Sequence, residues 1–190
     1  MNGQPSQQGF TLIELLVSIS IFTIITTVAV FNNSQFNGSV LLTNLAYEIG
    51  LSIREAQSYG ISVRQDAASN FNAGYGVHFD LTTPTHYTLF EDDAADHVWS
   101  PADAQLQTFT ISRGNKVSKI CVDGSCSATV ADISFIRPDP DAYITVGGIV
   151  GAYHGEADIC IASPQGMKRL VTVASTGQIS ASLDSGGLCN

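Results

Sequence analysis

One acidic side chain, Glu14, lies near the start of an apolar run that extends from Phe10 to Phe31 and carries no other charge. A helix rises about 1.5 Å per residue, so a run of this length can cross the roughly 30 Å hydrocarbon core of a bilayer. A carboxylate costs about 2.5–3.5 kcal/mol at the centre of such a span and less near its interface, so a retained one needs a cationic partner. No Lys or Arg occurs before Arg54. Cleavage after Gly9 would supply a cation, because it creates an α-amino group at Phe10.

The segment Gly9-Phe10-Thr11-Leu12-Ile13-Glu14-Leu15-Leu16 resembles the class III signal of type IV pilins and type II secretion pseudopilins. The resemblance implies that a membrane prepilin peptidase cleaves between Gly9 and Phe10 and that Phe10 is then N-methylated. It also implies that Glu14 neutralises the Phe10 ammonium of a neighbouring subunit as a filament grows. An ordinary signal anchor that carries one Glu is the alternative interpretation.

Two features depart from the family pattern. The leader, residues 1–9, has no Lys or Arg, whereas family leaders usually carry basic residues just before the glycine. Orientation with the leader in the cytoplasm then depends on the α-amino group alone, or the true start lies upstream of Met1. The apolar run also lacks Pro, so we expect no proline kink at its end.

The composition of the whole chain, with the length that follows the apolar run, is typical of one exported domain. The chain has 190 residues, of which 44% are hydrophobic and 13% charged, and its net charge is −9. About 150 residues follow the run, enough for a single domain with its own core. Low charge together with 17 Gly favours a β-rich, extracellular type of surface. Because the net charge is acidic and repels phosphates, nucleic acid is not an expected partner.

The pattern predicts that a second helical half follows the run and that only strands come after it. Residues 32–38 are polar and mark the exit from the bilayer. Apolar residues then recur every three to four positions, which indicates an amphipathic helix that ends at Tyr59 with Gly60 as its C-cap. The apolar stripe consists of Leu41, Leu42, Leu45, Ala46, Ile49, Ile53 and Ala56.

Two hairpins and one tight turn are predicted in the rest of the chain. The first hairpin joins 76–80 to 86–90, and the second joins 109–112 to 117–122. A tight turn is predicted at 163–166. Further strand candidates are 130–136, 143–146, 159–162 and 170–174, with a short terminal strand or tail beginning at 177–180.

The predicted fold class is α+β: a long N-terminal α-helix, with a transmembrane half and an amphipathic half, packed on a C-terminal antiparallel β-sheet domain of pilin type. The expected division is a leader at 1–9, a transmembrane or filament-core helix at 10–31, its amphipathic continuation at 32–59 and a β-rich domain at 60–190. This order, with residues 169–173 and 177–179, is similar to the GspH/FimT group of minor pseudopilins and minor pilins.

Four cysteines all follow the apolar run, which suits an oxidising compartment and disulfides. Cys121 and Cys126 flank an Asp-Gly turn that can bring their sulfurs together. Cys160 and Cys189 would tether the C-terminus if they paired. The pairs 121–126 and 160–189 are therefore favoured among three possible connectivities. A zinc site is not favoured, because Cys160 and Cys189 do not form a second half-site, and no cofactor is expected.

The other polar clusters offer no defined chemistry. The histidines are His78, His86, His97 and His154, and all are interpreted as solvated or core-edge residues. His78 and His86 are placed as cross-strand neighbours on the first hairpin. Acidic segments at 91–93 and 139–141 are interpreted as solvated turns rather than calcium loops. The glycine-rich segment 146–151 lacks the Lys-Ser/Thr ending of a phosphate loop, and no Ser/His/Asp pattern indicates an enzyme.

The predicted function is that of a structural subunit of a type IV pilus or type II secretion pseudopilus. Its implied partners are prepilin peptidase, other pilin or pseudopilin subunits, and inner-membrane lipid before assembly. Its implied location is the inner membrane, as a single-pass protein with the β domain outside, and then the filament. One alternative is a membrane-anchored surface binding protein or adhesin, which would have no need of Glu14. The other is a DNA-uptake minor pilin, whose basic patch would be Arg113, Lys116, Lys119, Lys168 and Arg169.

Overall fold

The computed structural model describes residues 9–62 and 73–189, with the side chains of 31–37 excepted. The chain divides into two compact units, Met1–Gly38 and Ser39–Asn190. The described residues form one helix, α1 (Leu12–Ile61), and ten strands. The strands are β1 (Gly74–Asp80), β2 (His86–Asp92), β3 (Ala104–Thr110), β4 (Lys116–Val122), β5 (Ser125–Ala128), β6 (Val130–Phe135), β7 (Tyr143–Val146), β8 (Glu156–Ala162), β9 (Lys168–Ala174) and β10 (Ile179–Leu183).

The strands form two five-stranded antiparallel sheets. The first sheet has the order β3-β2-β1-β6-β7, and the second sheet has the order β10-β9-β8-β4-β5. An N-terminal apolar helix followed by these sheets confirms the predicted α+β class. The first hairpin is confirmed as β1 and β2, where Phe79 lies opposite Tyr87. The turn at 163–166 is also confirmed, since the Gly166 N–H donates to the Ser163 carbonyl at 3.0 Å between β8 and β9.

The part of α1 after Ser39 packs on the sheets through one apolar face. Its buried residues are Leu42, Leu45, Ala46, Ile49, Ile53 and Ala56, and they join the inner faces of both sheets in one core. Each buried Leu or Ile side chain contributes roughly 1.5–3 kcal/mol. The predicted stripe is therefore confirmed except at Leu41, which is only half-buried.

Polar contacts also hold α1 on the sheets. Ser52 and Tyr87 share a buried hydrogen bond of 3.1 Å between their hydroxyls. Burial raises the pKa of Tyr87 to about 12, so its hydroxyl stays protonated. At the far end of the helix, Gln57 donates to the carbonyls of Pro140 at 2.9 Å and Gly177 at 3.0 Å.

Gly60 does not cap the helix, contrary to the sequence prediction, because α1 continues to Ile61. A Cβ at residue 60 would meet the backbone of Phe135, with its carbonyl carbon at 2.8 Å. Real Cβ atoms do not approach so closely, so glycine allows α1 to lie directly against β6. The periodicity of the helix could not show this requirement.

The predicted second hairpin is wrong. β3 pairs with β2 in the first sheet, whereas β4 pairs with β8 and β5 in the second sheet. Arg113 and Gly114 both have positive φ, 61° and 74°, and the turn they make carries the chain from one sheet into the other. The short strand β5 was also not predicted.

Candidate processing and assembly site

Gly9 and Phe10 are exposed and lie outside the helix. Gly9 and Phe10 precede the first helical residue, and Phe10 is 81% exposed. Proteolysis concentrates at exposed terminal segments, and α1 need not unwind to expose the Gly9–Phe10 bond. A Cβ at Gly9 would meet nothing within 4 Å. The glycine is therefore not required by packing within the described residues.

Thr11 forms the N-cap of α1. Its hydroxyl accepts a hydrogen bond from the Glu14 N–H at 3.3 Å, and its carbonyl accepts the first helical bond, from the Leu15 N–H at 3.2 Å. Thr followed three residues later by Glu is the sequence pattern of a capping box. The cap fixes the start of the helix, so Glu14 lies in its first turn, where a negative charge is also favoured by the helix dipole.

The carboxylate of Glu14 is available to an external partner. No group among the described residues donates a hydrogen bond to it or forms an ion pair with it, and Glu14 is exposed. An uncompensated carboxylate at the edge of an apolar segment is costly in lipid. An ammonium from outside the described chain would remove that cost.

The segment Leu12–Val30 is long and apolar enough to cross a membrane. Its hydroxyl side chains return to the helix backbone four residues earlier, at distances of 2.7–2.8 Å. These donors are Ser18, Ser20, Thr23, Thr26 and Thr27. A hydroxyl without a partner is expensive in hydrocarbon, so these bonds let a segment rich in Ser and Thr remain compatible with lipid.

The structure joins Cys121 to Cys126 and Cys160 to Cys189, with Cα separations of 3.8 Å and 5.6 Å. The first disulfide closes the turn between β4 and β5, where Asp123 and Gly124 have positive φ. The second links the end of the chain to β8, and Cys160 is fully buried. This is the pairing that the sequence favours.

His78 does not lie opposite His86, contrary to the sequence prediction. The residue opposite His78 is Thr88, and His86 instead contacts the Thr85 hydroxyl at 3.0 Å. His78 Nδ1 lies 2.6 Å from Asp132 Oδ1 on the neighbouring strand β6. Burial raises the pKa of Asp132, and the hydrogen bond with His78 opposes that rise. The sequence around each residue does not show which strands are neighbours in the sheet, so this cross-strand His–Asp pair could not be predicted.

A second buried polar group attaches the loop between β2 and β3 to the outer face of the first sheet. His97, on this loop, lies 3.0 Å from the Ser134 hydroxyl through Nδ1 and stacks on Tyr143 at 3.9 Å between ring centroids. Its backbone N–H donates to Asp92 Oδ2 at 2.9 Å, and its carbonyl accepts from Thr145. Burial lowers the pKa of His97 and raises that of Asp92.

The acidic segment 91–93 is not a wholly solvated turn, which corrects the sequence interpretation. Glu91 and Asp92 belong to β2 and are buried. Glu91 accepts a hydrogen bond of 2.6 Å from the Tyr75 hydroxyl. Among the described residues, no three His, Cys, Asp or Glu side chains group closely enough to hold a metal ion.

An exposed Asp–His pair lies near the turn between β4 and β5. Asp123 Oδ2 is 2.8 Å from His154 Nδ1, and this bond lowers the pKa of Asp123. No hydroxyl within the described part of the chain hydrogen-bonds to the His154 ring. The pair therefore lacks the nucleophile contact of a catalytic triad.

Comparison with known families identifies the N-terminal segment. Residues 4–30 match the family described as the prokaryotic N-terminal methylation motif. No curated protein and no solved structure matches the chain. The motif is the class III prepilin signal of type IV pilins and pseudopilins. The chain therefore carries the N-terminus of a prepilin-type structural protein, which implies processing by prepilin peptidase and assembly with other pilin subunits.

Proposed function

We propose that this protein is a structural subunit of a type IV pilus or type II secretion pseudopilus. Prepilin peptidase cleaves it between Gly9 and Phe10, and the new Phe10 terminus is N-methylated. The mature chain is a single-pass protein of the inner membrane with its β domain outside. We assign 1–9 to the leader, 10–31 to the transmembrane and filament-core helix, 32–59 to its amphipathic continuation and 60–190 to the β domain.

The observation that supports this proposal most directly is the position of the Glu14 carboxylate, which has no partner among the described residues. Cleavage after Gly9 puts an ammonium at Phe10, outside the helix and four residues before Glu14. In a helix bundle, this carboxylate and the Phe10 ammonium of a neighbour form an ion pair. Leaving either charge unpaired in an apolar core is strongly unfavourable, so the pair sets the register between adjacent subunits.

The test compares two substitutions in the full-length chain produced together with its assembly system. Gly9→Ser is expected to block cleavage, so mass spectrometry would find the leader still attached. Glu14→Ala is expected to leave membrane insertion and cleavage intact but to reduce incorporation into sheared filaments by about tenfold or more, as the loss of a buried partner implies. Glu48→Ala removes an exposed carboxylate of the same helix, after Ser39, and is the matched control.

Two results would contradict the proposal. One is a mature chain beginning at Phe10 in the Gly9→Ser variant, which would reject the cleavage site. The other is normal filament incorporation of the Glu14→Ala variant, which would reject the register argument. An adhesin that never polymerises would show cleaved protein in the membrane and none in the filament fraction, whatever residue stands at position 14.

A further inference from the structure

Two of the sheet edges in the described part of the chain are long enough to accept another strand. β3 ends the first sheet with seven residues, and β10 ends the second sheet with five. The other two edge strands, β5 and β7, have only four residues each. Proteins often keep edge strands short to prevent pairing with other chains, so the longer two are candidates for an interface.

The outer edge of β10 offers backbone groups to a further strand. The Ala174 N–H donates to the Gln178 carbonyl, and Ile179 lies opposite Val173 in the same register. Because hydrogen-bonded and non-bonded pairs alternate in an antiparallel ladder, the N–H and carbonyl of Ala181 face away from β9. The outward carbonyl of Ile179 already accepts a bond of 3.1 Å from Arg54. No described residue hydrogen-bonds to the backbone of Ala181 on that side.

An apolar groove lies between this edge and α1. Two adjoining hollows of about 440 Å³ and about 260 Å³ share Tyr47 and Ala181 as lining residues. The large apolar side chains along the groove are Tyr47, Leu51 and Leu183, which are 57%, 65% and 63% exposed. All three belong to the Ser39–Asn190 unit and lie outside the apolar N-terminal span. Such a group of exposed apolar side chains marks an interaction surface.

The groove also carries two cations that have only neutral partners. Arg54 bonds to the Ile179 carbonyl, and Arg169 bonds to the hydroxyls of Thr43 and Ser39 and to the Lys168 carbonyl. No carboxylate of the described residues forms an ion pair with either arginine. The chain as a whole has a net charge of −9. The groove therefore fits an acidic occupant, and the rest of this chain is acidic.

The edge formed by β3 has the complementary properties. Five of its seven residues are exposed, including Leu106, and Ala104–Thr110 contains no charged side chain. The Ile111 N–H donates to the Thr85 carbonyl, so the same alternation directs the backbone groups of Thr108 and Thr110 outward. Residues 74–110 contain no Lys or Arg. The carboxylates of this segment that are not buried are Asp80, Asp93, Asp96 and Asp103.

We infer that the β3 edge of one copy of this protein occupies the groove beside β10 of a second copy. The added strand pairs with the β10 backbone, its exposed Leu106 contacts Tyr47 and Leu51, and the acidic residues around it meet Arg54 and Arg169. The two surfaces are different, so the contact is head-to-tail, and a rotation between copies that does not close into a ring extends it into an open filament. The inference rests on the proposed function, because it supplies the contact between β domains in that filament.

The test uses disulfide cross-linking between two single-cysteine variants of the full-length chain. Ser182→Cys and Gln107→Cys place exposed thiols on the two edges, and the four native cysteines are already paired. Filaments assembled from a mixture of the two variants are oxidised and analysed by non-reducing electrophoresis. We expect covalent dimers in the mixture and about fivefold fewer when either variant assembles alone, since each edge then lacks its complementary thiol.

A charge reversal separates specific pairing from random collision. Arg54→Glu, at the groove, is expected to lower the yield of mixed dimers by about fivefold, as the loss of an exposed ion pair implies. Lys116→Glu reverses an exposed cation on β4, away from the β10 edge, and should leave the yield unchanged. Both variants should still be cleaved at Phe10.

Each outcome has one interpretation. Filaments that form normally without mixed dimers would overturn the β3–β10 interface and leave the proposed function standing. Equal dimer yield from Ser182→Cys alone would indicate a symmetric contact between two β10 edges and would also overturn it. Absence of this chain from every filament preparation, including the wild type, would instead contradict the proposed function.

Discussion

The two disulfides are expected to differ in how much they stabilise the β domain. Cys160–Cys189 spans a sequence separation of 29 residues, whereas Cys121–Cys126 spans only 5. A cross-link restricts the unfolded chain more when the closed loop is longer. The loop-entropy relation gives about 3.6 kcal/mol for the first disulfide and about 2.1 kcal/mol for the second. The longer link therefore contributes about 1.5 kcal/mol more to the free energy of unfolding.

The perturbation removes one disulfide by substitution and the other by reduction. The variant Cys121→Ala with Cys126→Ala retains only the longer link, and Cys160→Ala with Cys189→Ala retains only the shorter one. Reductant then breaks the remaining disulfide in each variant without deleting any further side chain. The difference between the oxidised and reduced forms therefore excludes the cavity left by the buried cysteines.

The assay is thermal unfolding of the full-length variants in detergent micelles, followed by tryptophan fluorescence. Trp99 is the one tryptophan of the chain and lies half-buried on the loop between β2 and β3, so it reports on the β domain. Reduction should lower Tm more in the variant that retains Cys160–Cys189, by about 3–6 °C beyond its effect in the other. Equal shifts, or a larger shift in the variant that retains Cys121–Cys126, would refute the loop-length argument.

Two further predictions concern α1 and the buried histidine. Gly60→Ala should destabilise the fold by about 1–3 kcal/mol, because the new Cβ would collide with the Phe135 backbone. The control is Gly50→Ala, whose Cβ would lie 3.8 Å from Ile179. It should be neutral or stabilising by up to about 1 kcal/mol. Chemical denaturation of both variants checks this, and equal effects would reject close packing at Gly60. Burial lowers the pKa of His97 below its usual 6.5, so its contribution to stability is complete above pH 6.5 and is lost as pH falls through the lowered pKa. Asn tolerates the positive φ of 66° at position 97, so His97→Asn should remove this acid-induced loss of stability. Its Tm should therefore fall less between pH 7 and pH 5 than that of the wild type. The exposed control His86→Asn should behave as the wild type does.

Two buried carboxyls, Asp92 beside His97 and Asp132 beside His78, titrate in the opposite sense. Burial raises the pKa of Asp92 and of Asp132, so their contributions are complete below the usual 3.8 and are lost as pH rises through the raised values. Lowering the pH therefore increases the contribution of these two carboxyls to the stability of the fold and decreases the contribution of His97. A His97→Asn variant whose Tm falls as steeply as that of the wild type between pH 7 and 5 would show that another group controls the acid response.

Local patterns in the sequence were sufficient for the features whose physical cause is local. The apolar face of α1 after Ser39 follows from residues three to four positions apart, and the β1–β2 hairpin follows from alternation around a short turn. The prepilin signal is likewise a contiguous motif, and the family comparison confirms it.

Features that depend on distant contacts could not be predicted in this way. The role of Gly60 depends on Phe135, 75 positions later in the chain, and the pair His78–Asp132 joins two strands that are not consecutive. The prediction of the second hairpin was wrong because a turn between two apolar runs has the same sequence pattern in two cases. The chain either folds back on the same sheet or enters another sheet. Only the strand order distinguishes them, and that order is set by the whole core.

The hydroxyl bonds in the Leu12–Val30 span also bear on how a polymer of this protein could be dismantled. Since Ser18, Thr23 and Thr27 satisfy their own donors within one helix, the span has no side-chain hydroxyl that must find a new partner when its surroundings change. In the proposed filament, withdrawing a protomer would break the Glu14 ion pair, the contact between β domains and the apolar contacts of the span, but no side-chain hydrogen bond of the span. Returning the span from such a filament to lipid would then cost no side-chain hydrogen bond, which would favour reuse of the same molecules.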